Sequence, residues 1–278
     1  MTGDVPARRF GATTLFLGGE LPGRLEAIRR AGFGATEFLG RDLFESLRGV
    51  EYTLGLLRDS GLRVSIFQLL RDLEGAPRGQ IEQRLGIAAQ ILDLGVLTGA
   101  DTVALAANTD PASSGDTGMI LEDLGRLGDL AVARGMRIAF ESLSWATHLA
   151  DYREGWEIVR RLDHPGVGLM LDASHIGALG LPFDAIRDID PAKVFLAELA
   201  DLPHTRLDIP EVSRSYRLFP GEGMLPLEEY VRALEAIGYA GDYSVEVLSD
   251  HYRLLDPVAV AQRAFDSMAG LWRRAMGG

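Results

Sequence analysis

Residues 167–175 read VGLMLDASH: an apolar run that climbs without a break to a carboxylate, Asp172, with an imidazole, His175, three residues on. A strand buried on both faces gives such a run. Parallel α/β architectures gather their chemistry at the carboxyl ends of their strands. Three further runs finish the same way, IAFE ending at Glu141, VFLAE ending at Glu198 and YSVE ending at Glu246. Four strand ends that offer Glu, Asp, Glu and Glu in chain order point to one shared divalent cation.

Outward from this stretch, strand-like runs at 13–17, 35–38, 62–69 and 102–107 precede the four that end on acids. Segments with helical spacing of apolar residues lie between them, at 21–31, 51–60, 79–97, 121–134, 151–162, 227–237 and 258–272. A weaker helix is expected at 183–189, and a long loop over 201–224. About eight strand–helix alternations with no break in composition imply a parallel sheet with crossover helices. Eight units favour closure. The expected fold is therefore α/β, a single (β/α)8 TIM barrel over residues 11–278 after a flexible N-terminus of residues 1–10. An open doubly wound sheet is the alternative.

Composition narrows the function. Of the 278 residues 47% are hydrophobic, ample for a core, and the formal net charge is −12. Nucleic acid binding requires a basic footprint, so that balance speaks against it. Cysteine is absent, which excludes disulfides, thiolate metal sites and a cysteine nucleophile. The N-terminal stretch has no apolar core of a secretory signal, and charges break every apolar run well short of the ~20 residues of a membrane helix. A cytoplasmic protein without membrane contact is expected, and a homo-oligomer is compatible with it. No phosphate-binding or dinucleotide glycine motif occurs, and Ser142 and Ser144 lack the GxSxG setting of a serine hydrolase.

The acids admit a bland reading as helix caps or solvated loop residues. Four at successive strand ends favour the cation instead, and oxygen ligands suit Mg²⁺, Mn²⁺ or Co²⁺. A neutral His175 beside them could take a proton from carbon next to a metal-polarised carbonyl. Arg71, after the third strand in FQLLRDLEG, could clamp a substrate carboxylate, against a bland reading as a surface ion pair with Asp72 or Glu74. Ser213 and Arg217 sit in the long loop, and loops of that length after a barrel strand are more often functional than filler. His148, Trp145 and Tyr152 follow Glu141 closely and could wall a pocket.

Six segments also carry a resemblance: IFQLLRDLEG at 66–75, FESLSWATH at 140–148, DHPGVGLMLDASHIGALG at 163–180, FLAELAD at 195–201, SRSYRLFPGEG at 213–223 and YSVEVLSDHYR at 243–253. In this order and spacing they resemble the sugar phosphate isomerase/epimerase superfamily of xylose isomerase-like TIM barrels, and within it the bacterial 3-dehydroshikimate dehydratases. The resemblance runs from the third strand to the eighth. It implies metal ligation by Glu141, Asp172, Glu198 and Glu246, and His175 as acid/base group. It also implies that Arg71, Ser213 and Arg217, with His148 nearby, hold the carboxylate and hydroxyls of a small hydroxy-ketone. One position departs: those dehydratases carry Gln on the seventh strand and the wider superfamily usually His, where this chain has Glu198. The added negative charge leaves the exact substrate open. Some members also carry a C-terminal dioxygenase-like domain, which this sequence does not reach.

The expected activity is that of a divalent-metal-dependent lyase turning 3-dehydroshikimate into protocatechuate and water. The alternatives are a ketose 3-epimerase or an inosose dehydratase on the same barrel, in which Glu141 and Glu246 would work as paired acid/base groups on opposite faces of a neutral sugar. A non-catalytic barrel that binds a small hydroxy acid is a third reading, and an endonuclease-IV-like repair role a fourth. Five histidines and the charge of −12 speak against that last one.

Overall fold

The computed structural model describes residues 9–277. Eight strands form a closed parallel barrel in sequence order: β1 (Phe10–Thr13), β2 (Ala35–Leu39), β3 (Arg63–Arg71), β4 (Thr102–Ala106), β5 (Arg137–Glu141), β6 (Val167–Asp172), β7 (Val194–Leu199) and β8 (Asp242–Val245). Parallel pairing of β1 with β8, Gly11 opposite Ser244, closes the ring. The main helices are α1 (Leu21–Ala31), α2 (Gly40–Glu45), α3 (Val50–Ser60), α4 (Ile81–Thr98), α5 (Thr117–Val132), α6 (Tyr152–Leu162), α7 (Ala173–Ala178), α8 (Ile209–Ser215), α9 (Leu227–Ala236) and α10 (Pro257–Ala275).

Period-two alternation along the strands splits the core in two. Residues such as Ile138, Phe140, Leu169, Leu171, Tyr243 and Val245 pack outward against the helices. Ile66, Ala104, Ala139, Met170 and Leu196 form a separate cluster inside the barrel. Two residues further along the same faces stand Gln68, Ala106, Glu141, Asp172 and Glu198. The apolar plug and the polar layer at its carboxyl end are thus fixed by one alternation. Gly168 shows how tight the wall is: a Cβ there would come within 2.5 Å of the Lys193 carbonyl oxygen and 2.6 Å of the Phe195 ring.

Helix boundaries follow local chemistry. Asp151 caps α6 by accepting the Arg153 N–H, and Asp256 caps α10 by accepting that of Ala259. Gly32, at φ 104°, ends α1 in a left-handed conformation that a side chain would strain.

Three expectations need correction. The first strand is Phe10–Thr13, not 13–17. Leu15, Phe16 and Leu17 form a buried loop beyond it, with the Phe16 ring edge-on to Phe219 at 5.4 Å, so the apolar run marks burial and not pairing. The weak helix near 183–189 is a 3-10 turn, Asp184–Asp188. The long loop over 201–224 contains α8, capped by Asp208 through the Glu211 N–H. Seven residues are too few for periodicity to register. The expected flexible terminus, 1–10, falls outside the described residues except for Arg9 and Phe10, and Phe10 already opens β1. Among the described residues no helix is long and apolar enough to cross a membrane.

Candidate active site

A cavity of about 630 Å³ opens at the carboxyl end of the barrel, lined among others by Gln68, Arg71, Glu141, Trp145, His175, Ser213, Arg217 and Glu246. Seven residues singled out in the sequence, all of these but Gln68, therefore share one cavity. Asp172 and Glu198 are buried behind this lining and reach it through Arg217 and Gln68. His148 stands apart. It does not line the cavity; it is exposed, and its Nε2 lies 2.9 Å from the Ser113 carbonyl oxygen. The β5–α6 loop carries it away from the barrel axis.

The acids form two adjacent groups. Glu141, Asp172 and His175 place ligand atoms within 4.8 Å of one another, and so do Glu37, Glu198 and Glu246. Arg217 joins the two: its Nη1 donates to Asp172 Oδ2 at 2.7 Å and Glu246 Oε2 at 3.1 Å, and its Nε is held by the Ser213 carbonyl at 2.7 Å. Asp172 ends β6 and caps α7, accepting Ser174 N–H at 2.7 Å and Ser174 Oγ–H at 3.0 Å. That cap starts the short helix that turns His175 back over the strand end.

Glu37, on β2, and Gln68, on β3, are the residues that sequence reasoning missed. Gln68 Nε2 donates to Glu37 and lies 3.4 Å from Glu198 Oε1. A search for acids at strand ends passes over Glu37 because it lies inside its strand. The available signal was an acid at an inward position of the otherwise unchargeable run ATEFL.

Burial sets the electrostatics. Desolvation and the charge of Glu246 raise Glu37 to about 8. Glu141 and Glu198 are pushed well above the usual carboxylate range by burial and by Glu246, with Asp172 adding to both and Glu37 also acting on each. Glu246 is raised by burial, although Arg217 opposes this. Asp172 behaves differently: burial works against its charge, yet Arg217, His175 and the Ser174 hydrogen bonds hold it below its ordinary value. Burial lowers His175 to about 4, so the ring is neutral near pH 7.

This donor set fits a divalent cation. Glu37 Oε1 and Glu198 Oε2 are buried with no hydrogen-bond partner. Five buried carboxyls share one buried guanidinium, that of Arg217, and hard oxygen donors suit a hard cation. The acidic clusters could hold a metal.

The comparisons with known proteins agree with this geometry. The family described as "Xylose isomerase-like TIM barrel" matches residues 25–271. A 3-dehydroshikimate dehydratase of Pseudomonas putida is 35% identical over 258 residues, 93% of this chain and 40% of that protein. A 3-dehydroshikimate dehydratase of Neurospora crassa is 27% identical over 297 residues, covering 84% of this chain and 83% of that one. Among solved structures, a xylose isomerase-like TIM barrel/4-hydroxyphenylpyruvate dioxygenase fusion protein superposes with a TM-score of 0.93 at 33% identity, over 96% of this chain and 43% of that chain. The chain thus spans about 40% of the length of the bacterial relative.

Proposed function

The chain belongs to the xylose isomerase-like TIM-barrel family, and within it we propose a divalent-metal-dependent carbon–oxygen lyase that converts 3-dehydroshikimate into protocatechuate and water in the cytoplasm. The catalytic domain is read as residues 11–278. The observation that carries the reading is the meeting, in one cavity, of a neutral imidazole, a carboxylate cluster and two arginines, His175 with Glu141, Glu246, Arg71 and Arg217. The dehydratase relatives support the substrate.

Glu141, Asp172, Glu198 and Glu246 would hold the cation, with Mg²⁺, Mn²⁺ and Co²⁺ all suited to oxygen donors. When bound, it supplies Lewis-acid polarisation of the substrate ketone. Arg71 offers a planar fork to the substrate carboxylate, and Ser213 and Arg217 face the same space. That anchoring sets the carbon alpha to the ketone against His175 Nε2, the ring nitrogen on the carboxylate side. His175 removes the alpha proton as general base, and the imidazolium so formed returns it to the departing β-hydroxyl as water. Loss of one further ring proton through enolisation completes the aromatic diol.

A neutral ketose would give Arg71 no anionic partner, which sets the epimerase reading second. The test is to strip the protein of metal, add 3-dehydroshikimate with Mg²⁺, Mn²⁺ or Co²⁺ in turn, and record protocatechuate absorbance. Metal-dependent product that is lost in His175→Ala is expected. Folded, metal-loaded protein that forms none with any cation rejects the lyase, and ketose and inosose substrates then decide among the rest.

A further inference from the structure

His175 is gripped on the side away from the carboxylates. Its Nδ1 lies 3.0 Å from Ser144 Oγ, both side chains buried, and the Trp145 ring meets the imidazole edge-on at 5.0 Å. Arg214 lies over the same indole, its guanidinium carbon 5.2 Å from the ring centroid. On the opposite edge Arg217 Nη2 points an N–H at His175 Nε2 from 3.2 Å, while Asp172 Oδ2 and Glu141 Oε1 stand further off at 3.5 and 3.6 Å.

These contacts decide the tautomer. A guanidinium can only donate. Nε2 therefore accepts from Arg217 and bears no hydrogen, so the proton of the neutral ring is on Nδ1 and goes to Ser144 Oγ. A hydroxyl oxygen can take that hydrogen; a methyl group cannot. We propose that Ser144 is a positioning residue: by accepting the Nδ1–H of His175 it holds the ring in the tautomer whose Nε2 lone pair is on the cavity edge, where Arg217 donates to it until the substrate draws that guanidinium away. The sequence showed Ser144 only as a serine without a hydrolase motif. Its place three residues beyond the end of β5 puts it in reach of α7 once the barrel closes.

The alternative tautomer shows why the contact matters. With Nε2–H, the ring could donate to Asp172 or Glu141, and its lone pair would turn toward Ser144, away from any substrate. Removing the Ser144 hydroxyl leaves a buried Nδ1–H without an acceptor in the productive form and an Nδ1 lone pair without a donor in the other, but only the other form can still place its N–H, on Nε2, toward Asp172 or Glu141. Orientation of a catalytic imidazole through its second nitrogen is a general means of fixing its chemistry. Here the contact uses a neutral hydroxyl, so it adds no charge to an already crowded site.

The experiment combines spectroscopy with kinetics, and only the second rests on the dehydratase reading. Protein labelled with ¹⁵N-histidine and equilibrated with Mg²⁺ is compared as wild type, Ser144→Ala and Ser144→Thr, with His175→Gln assigning the ring. Two-bond ¹H–¹⁵N correlations report which nitrogen carries the proton. Wild type and Ser144→Thr are expected to show a protonated Nδ1, and Ser144→Ala a shift of at least about tenfold toward protonated Nε2. Dehydration should lose about 10- to 100-fold in kcat in Ser144→Ala, part of what a positioned general base contributes, with KM little changed and recovery in the Thr variant. A proton on Nε2 in wild type, or a His175 pattern in Ser144→Ala equal to that of wild type, overturns the proposal whatever the rates. If no form dehydrates 3-dehydroshikimate, the functional reading fails and the tautomer measurement still decides the role of Ser144.

Discussion

Arg217 Nη1 lies 2.7 Å from Asp172 Oδ2, with both side chains buried. The same nitrogen is 3.1 Å from Glu246 Oε2, so one guanidinium is counterion to acids from two strands. Removing one partner of a buried pair leaves an uncompensated charge and typically costs about 3–5 kcal/mol. Arg217→Gln should therefore destabilise the metal-free protein by that order. The loss should be smaller with Mg²⁺ present, because a cation offsets the same carboxylates. Urea unfolding with and without Mg²⁺ checks both; a variant as stable as wild type without metal would mean that the pair contributes nothing net.

Glu198→Gln tests the one departure from the dehydratase pattern. Burial and the charges of Glu246, Glu37, Glu141 and Asp172 all raise the Glu198 carboxyl, so ionising it is unfavourable in the folded state. A neutral amide removes that cost. Metal-free Glu198→Gln should melt higher at pH 8, by about the 2–4 °C that 1 kcal/mol gives in a chain of this size. Protocatechuate formation should persist. A lower melting temperature, read by calorimetry, would show that the carboxylate at 198 stabilises the fold instead.

Glu74 predicts a pH dependence that is independent of the acidic layer. Burial raises its carboxyl to about 8 from an ordinary 4.5; Oε1 accepts the Asn108 N–H at 2.5 Å, and Oε2 has no partner. The folded state binds this proton more tightly than the unfolded one, so stability falls as pH rises. The contribution is complete below 4.5 and is lost as pH passes through 8. Glu74→Gln keeps an oxygen for Asn108 and carries no charge, so it should flatten the decline between pH 5 and 8. Urea midpoints at those two values for both proteins measure it, and an unchanged slope assigns the decline to other groups.

The barrel was legible because each strand writes its burial into a short apolar run, and the acids at 141, 172, 198 and 246 were legible because they end those runs. Glu37 was not, since it lies in the middle of its short strand with Phe38 and Leu39 after it, and only closure of the barrel brings its carboxyl to Glu198 and Glu246. The family resemblance implied a substrate-binding role for Arg217; its grip on Asp172 and Glu246 depends on how α8 turns the long loop inward, a tertiary fact no spacing encodes. His148 shows the converse. Seven residues from Glu141 in sequence, it points away, because proximity along a loop does not fix direction.

Arg71 separates binding from stability. It ends β3, is exposed, and lines the cavity. Exposed substitutions of this kind usually move stability by no more than about 0.5 kcal/mol. Losing a hydrogen bond to a charged group costs about 1.5–3 kcal/mol, roughly a 10- to 100-fold fall in kcat/KM. Arg71→Ala should show that fall on 3-dehydroshikimate with an unchanged melting temperature. Arg71→Lys should lie between, keeping the charge without the fork. Steady-state kinetics across the three proteins gives the answer. An alanine variant as efficient as wild type would move carboxylate recognition away from Arg71 and return the neutral-sugar reading to first place.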